Sequence, residues 1–267
     1  MGQKMRNAQV YFTLGQVQHN PILSLDTYLP TIQESMRKSG YPDFKRAMMA
    51  TFNLTATSTP DSGQTQQPVL QKSERFLFSN EANTSGFVML PNALCFQTTE
   101  YDTFESFSTE LKRGLQILGD AIGGLSFVER LGIRYLDAVA PKAGESINKY
   151  LARELLGLPA LMPESIFQYG FSECLLVVEG VGQVVSRTIV QNGPLGLPPD
   201  LQPVTLKISD RFSNVRGEHA VIDTDGSLTA RRSFDVTDIE RCMHGLHDLI
   251  DKTFSATVTD HARSAWN

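Results

Sequence analysis

Residues 88–94 read VMLPNAL, and residues 222–228 read IDTDGSL, 134 positions later. In each stretch, Pro-Asn or Asp-Gly predicts a two-residue turn between strand-like residues. A segment with helical spacing follows each stretch, at an offset of 135 residues. The positions that align in these segments are Phe104, Phe107, Leu111, Leu115 and Leu118 with Ile239, Cys242, Leu246, Ile250 and Thr253.

The repeat predicts two copies of one supersecondary unit, residues 1–124 and 125–267, packed as one body. Each half has the predicted order strand, helix, several antiparallel strands and helix, which indicates an α+β fold rather than alternating βαβ units. We expect the two long helices to be related by a pseudo-two-fold rotation. Strands are predicted at 8–17, 48–55, 75–79, 86–90, 94–99, 127–139, 173–178, 183–188 and 204–209, helices at 30–38, 103–122, 145–156 and 237–254, and an exposed loop at 58–67.

Composition limits the classes of function. The formal net charge of −5 argues against binding nucleic acid, because such affinity comes from clustered Lys and Arg. The pairs Arg231-Arg232 and Lys112-Arg113 leave only a weak alternative of this kind. No apolar run predicts a membrane span. Three widely spaced cysteines favour a reducing, cytoplasmic location over a disulfide framework.

Motifs for phosphate-binding loops, nucleophile elbows and zinc proteases do not occur, and no cofactor is predicted. The last predicted helix carries one possible metal set, in which His244, His247 and Asp251 are spaced at i, i+3 and i+7. These residues lie roughly opposite the apolar stripe that contains Leu246, however. A solvated helix face is therefore the favoured interpretation, and His247→Ala is expected to change stability little.

A second candidate site lies in the strand predicted at 127–139. Arg130 and Arg134 share one face of this strand, with Gly132 between them. Two guanidinium groups over a residue without a side chain could clamp a carboxylate or phosphate. The alternative, which we favour, is that they form ion pairs with carboxylates such as Glu173 or Glu179 and fasten the two halves together.

Three groups of residues resemble a sporadically distributed prokaryotic family of similar length and unknown function. They are the run RLGIRY at 130–135, the pattern L-x-F-x-T-x-x-Y at 94–101, and Leu246-His247 followed by Phe254; Asn20-Pro21 and Tyr41-Pro42 also fit. The Pro-rich stretch at 193–203 has no match in that pattern. The patchy distribution implies a component of antiphage defence, and the resemblance implies no catalytic residues.

Two functional hypotheses follow. The duplicated scaffold and the missing catalytic motifs favour a non-catalytic binding, sensor or accessory protein that acts with a partner protein or as a homo-oligomer. The alternative is a metal-dependent hydrolase or nuclease that uses His244, His247 and Asp251. We expect Leu111 and Leu246 to be core residues under either hypothesis.

Overall fold

A computed structural model of the protein describes residues 9–53, 69–162, 167–201 and 204–266. Within these ranges the fold is mixed α+β, with one nine-stranded antiparallel sheet and six helices. The strands are β1 (Val10–His19), β2 (Asp43–Asn53), β3 (Val69–Ser79), β4 (Ser85–Leu90), β5 (Ala93–Thr98), β6 (Phe127–Val139), β7 (Tyr169–Val178), β8 (Gly182–Asn192) and β9 (Glu218–Ser233). The helices are α1 (Leu25–Lys38), α2 (Phe104–Ile122), α3 (Arg153–Leu156), α4 (Asp210–Ser213), α5 (Val236–Thr257) and α6 (Asp260–Trp266).

The strand order is β2-β3-β4-β5-β1-β6-β9-β8-β7. The centre of the sheet is the antiparallel pair β1 and β6, in which Gly15 lies opposite Ile133 and Leu14 opposite Arg134. The edge of β6 that faces away from β1 pairs with β9, which in turn pairs with β8. The sheet is therefore continuous across both predicted halves of the chain.

Helices α1, α2 and α5 contribute buried residues to the core on one face of the sheet, here called the helix face. Thr103 caps α2 by accepting a hydrogen bond from the Ser106 backbone, and Gly123 ends the helix in the left-handed conformation. Asp235 caps α5 in a similar way. Leu111 and Leu246 are both buried in this core, as predicted.

Two glycines let the long helices approach the sheet closely. A Cβ atom on Gly15 would lie 2.9 Å from the Phe107 ring of α2, and a Cβ atom on Gly226 would lie 3.0 Å from Ile250 of α5. Both glycines are in strands at the middle of the sheet. Their lack of a side chain thus sets how near each helix packs.

The opposite face is partly covered by the segment between β8 and β9. Tyr11, Phe12 and Leu136 pack there against Phe212 of α4 and apolar residues of the connector. A further cluster forms around Trp266 where α6 packs near the end of the sheet. No helix in the described ranges is long and apolar enough to cross a membrane.

Several sequence predictions are wrong in detail. Asp225-Gly226 makes no turn: β9 runs through it, because both residues are paired on each side, with β6 and with β8. The predicted helix 145–156 is divided into a 3-10 turn (Ile147–Lys149) and the short α3, since Leu151 instead bridges to Val258. Residues 204–209 form no strand: Lys207 donates its backbone N–H to the Asn83 carbonyl in a turn, and Val204 and Ile208 pack on the sheet face. The Pro91-Asn92 turn is confirmed, and the loop 58–67 lies outside the described residues.

Candidate functional site

A group of polar side chains is buried at the centre of the helix face. Tyr135 of β6 lies opposite Thr13 of β1 and opposite Thr224 of β9. Asp137, two residues further along β6, lies opposite Ile222, and Ile222 lies opposite Thr188 of β8. Because paired residues in a sheet share a face, these side chains all lie on the helix face. Thr13 and Thr224 flank Tyr135, and Ile222 separates Asp137 from Thr188. We call Thr13, Tyr135, Asp137, Thr188 and Thr224 the buried polar cluster.

Asp137 is the most unusual member of this cluster. Its side chain is on the helix face and the residue is only 5% exposed. Burial raises its pKa to about 8, and no neighbouring charge or hydrogen bond offsets that effect. Asp137 is therefore largely protonated at neutral pH, and its carboxyl group can donate a hydrogen bond.

Three hydroxyl groups of the cluster lack a hydrogen-bond partner among the described residues. They belong to Thr13, Thr188 and Thr224, each at most 2% exposed. A buried polar atom without a partner costs free energy, and most such atoms in proteins are paired with protein or water. The cluster thus offers unused hydrogen-bonding capacity beside a protonated carboxyl group.

Aromatic rings line the cluster on the side of α2 and α5. The Tyr135 hydroxyl lies 3.2 Å from Nδ1 of His247 and donates to the Tyr101 hydroxyl at 3.2 Å. The His247 ring stacks on Phe104 with centroids 4.3 Å apart and planes 4° from parallel. Burial lowers the pKa of His247 and raises the pKa of Tyr101 to about 12, so both rings are neutral at pH 7.

These contacts correct the interpretation of His247 as a solvated residue, because it is half-buried between Phe104 and Tyr135. His244 is exposed and meets Phe104 edge to face, and Asp251 is exposed as well. In the described part of the chain, no group of three or more His, Cys, Asp or Glu side chains is placed to hold a metal ion. The structure therefore offers no support for the set His244, His247 and Asp251 as a metal site.

Arg134 points to the opposite face of the sheet, where two carboxylates occupy its guanidinium group. Its Nε and Nη2 atoms each donate to Asp223 at 2.7 Å, and Nη1 donates to Asp200 at 2.5 Å. Burial opposes its charge, yet the hydrogen bonds to Asp223 and Asp200 raise the pKa of Arg134 above its ordinary value. Arg187 adds a contact to Asp223 at 3.4 Å and binds Glu173 at 2.5 Å.

Arg130 has a different partner. Its Nη1 donates to the Gln16 side chain at 2.8 Å, and its guanidinium group lies over Gly132, where a Cβ atom would be 2.9 Å from Nη1. Arg130 and Arg134 are thus on the predicted face and beside the predicted glycine. The contacts of Arg134 are those of an ion-pair network, but its partners are Asp223 and Asp200 instead of Glu173 or Glu179. All three residues lie within 125–267, so these ion pairs do not fasten the two halves together.

No family model and no curated protein matches this chain. A function for it is therefore inferred from the geometry of its own residues. Sequence reasoning missed Asp137, although a signal was present: a carboxylate between Leu136 and Ala138 interrupts the strongly apolar end of a predicted strand. A charged residue at such a position is uncommon without a partner, so it indicates a functional site.

Proposed function

We propose that this protein is a non-catalytic binding or sensor protein, and that its ligand is a small molecule with an amino group, held at the buried polar cluster. Asp137 is the observation that carries the proposal, because it is a buried carboxyl group with no cation beside it. A ligand ammonium group would supply that missing charge. Buried carboxylates in proteins are otherwise paired or protonated.

The surroundings favour a cation over an anion. The charged residues that act on His247 include the carboxylates of Asp251, Asp248 and Glu105. The rings of Tyr101, Phe104 and Tyr135 are close to the same place, and aromatic faces attract ammonium groups. An ammonium group that donates one N–H to Asp137 has two more to donate, and the unpartnered hydroxyls of Thr13 and Thr224, on the strands either side of β6, would accept them.

The internal duplication belongs to the same proposal. We infer that residues 1–124 and 125–267 are related copies, with β1 equivalent to β6 and α2 equivalent to α5. The order β5-β1-β6-β9 supports this, because the last strand of each half flanks its first strand. The cluster draws Thr13 from one half and Asp137 from the other, so the ligand would bind where the copies meet.

We place this role in the cytoplasm, as an accessory component that works with a partner protein, in line with the defence-associated family that the chain resembles. The sensor would report ligand occupancy through the packing of α2 and α5 on the sheet. Co-purification of a neighbouring protein at fixed stoichiometry tests that part. If no protein co-purifies, the partner proposal fails but the ligand-site proposal is unaffected.

Calorimetry with butylamine and 1,4-diaminobutane as probes tests the ligand class, with butanol and butyrate as matched controls. We expect the amines to bind and to release nearly one proton per bound amine at pH 7, because the bound cation ionises Asp137. Buffers with different ionisation enthalpies measure that proton.

Asp137→Asn should abolish amine binding, whereas Asp251→Asn, on the exposed face of α5, should weaken it far less. Equal binding of butanol and butylamine would overturn the amine proposal. Amine binding that Asp137→Asn leaves unchanged would overturn the site itself.

A further inference from the structure

The edge strand β7 exposes apolar side chains on both of its faces. Its exposed residues include Tyr169 at 64%, Phe171 at 53%, Leu175 at 57%, Leu176 at 48% and Val177 at 74%. One edge of β7 pairs with β8, and no strand of the described residues pairs with the other edge. Its outward backbone N–H and C=O groups therefore form a template for another strand.

The other edge of the sheet is protected in the usual way. In β2, Lys45 pairs with Asp43, and Arg46 pairs with Asp26 and Glu74. Charges of this kind discourage pairing between edges. In β7 the sole charged residue is Glu173, whose carboxylate is held by Arg187 of the neighbouring strand. The two edges thus differ in kind, and β7 lacks the charges, proline or bulge that would block a partner.

Symmetry limits how β7 could pair with itself. A two-fold axis perpendicular to the sheet keeps each side chain on the same face in both copies, so the axis must pass through a residue paired with itself. The midpoint of Tyr169–Val178 lies between Glu173 and Cys174. An axis through Glu173 would place two carboxylates directly opposite each other, which is unfavourable. An axis through Cys174 avoids this conflict.

We propose that β7 pairs antiparallel with β7 of a second copy of this chain, with Cys174 opposite Cys174. This register pairs Phe171 with Val177, an aromatic and a β-branched residue, and Ser172 with Leu176. Glu173 faces Leu175 while it keeps its own Arg187. The dimer is a continuous sheet through both copies. It does not depend on the proposed ligand site, which lies in the centre of each sheet.

Disulfide formation at Cys174 can test this register. It is exposed, whereas Cys95 is buried and Cys242 is half-buried. Opposed residues in an antiparallel pair have Cα atoms about 4.5–5.5 Å apart, within the range that a disulfide spans. Mild oxidation of the wild-type protein with copper-phenanthroline should therefore give a covalent dimer, and Cys174→Ser should prevent it. Moving the thiol, with Ser172→Cys in the Cys174→Ser background, should also prevent it, because the two residues 172 would be four residues apart along the strands.

Sedimentation of the reduced protein measures the dimer without cross-linking. Val177→Lys should raise the dimer Kd by at least about tenfold, because it buries a charge against Phe171 of the second copy. Met48→Lys, at an equally exposed site on β2, is the matched control and should leave Kd unchanged. A reduced wild-type protein that stays monomeric would overturn the proposal. A dimer that Met48→Lys disrupts, or one that the residue-172 thiol cross-links equally well, would also overturn it.

Discussion

Burying Asp137 costs desolvation free energy that no neighbouring charge offsets. The strand that carries it supplies Ile133 and Tyr135 to the same face, so its direction is set by the alternation of β6. Burial destabilises the charged carboxylate more than the protonated carboxyl group. The pKa of Asp137 therefore rises. Under the proposed function, Asp137 contributes to ligand binding rather than to stability.

Asp137→Asn tests the titration of this residue. The folded protein, with a pKa near 8, keeps a proton that the unfolded chain releases above pH 4. The free energy of unfolding of the wild type should therefore fall as pH rises from 4 to 8, by at most about 1.4 kcal/mol per pH unit from this group. Asparagine does not titrate, so the stability advantage of the variant should grow across that window and level off above pH 8. Urea titrations at five pH values measure it, and a difference that is independent of pH would contradict the assignment.

Arg134 provides a second prediction at the scale of the residue. Asp223→Ala should lower the free energy of unfolding by about 3–5 kcal/mol, because it leaves a buried guanidinium with only the exposed Asp200. Arg134→Lys should also lower the melting temperature, since lysine lacks the planar fork that holds Asp223. Arg130→Lys is the control and should cost less. Thermal melts with and without phosphate distinguish this network from an anion site. The anion site would be favoured if phosphate raised the melting temperature of the wild type and Arg134→Lys left the melting temperature unchanged.

The elements of the fold show where sequence patterns were sufficient and where they were not. The apolar period of α2 and α5 predicted both helices, since burying one face of a long helix leaves a regular pattern in the sequence. Gly226 predicted a turn and instead lies in β9, because glycine also occurs where a helix approaches a sheet closely. Local sequence does not distinguish these two uses. Long-range contacts decide between them, and the same is true of the partners of Arg134.

Glycine substitutions test this interpretation. Gly226→Val should destabilise the protein by about 1–3 kcal/mol, since its side chain would press on Ile250 and displace α5. Gly119→Ala is the matched control on α2, where a Cβ atom meets nothing within 4 Å. It should stabilise the protein by about 0.5–1 kcal/mol through helix propensity. Thermal denaturation compares the two, and a neutral Gly226→Val would show that α5 is free to shift.

At the scale of the whole molecule, the core of the helix face joins residues from α1, α2 and α5 with residues of the sheet. Such a core should unfold as one unit. The single tryptophan, Trp266, lies instead in the cluster near the end of the sheet. We expect its fluorescence and the far-ultraviolet circular dichroism to report the same urea midpoint. A tryptophan transition at lower urea would show that α6 and its cluster unfold separately.

The position of β6 has a consequence for how the chain is made. Its inner edge can pair with β1 as soon as it leaves the ribosome, but its outer edge must wait for β9, about 80 residues later. At a synthesis rate of about 5–20 residues per second, that edge stays open for roughly 4–16 seconds. During each round of translation, β6 is therefore for a time an edge strand, although it lies in the middle of the finished sheet. Nascent chains on neighbouring ribosomes could meet there before β9 closes it, so the interval between β6 and β9 is the period in which a chaperone would be most useful.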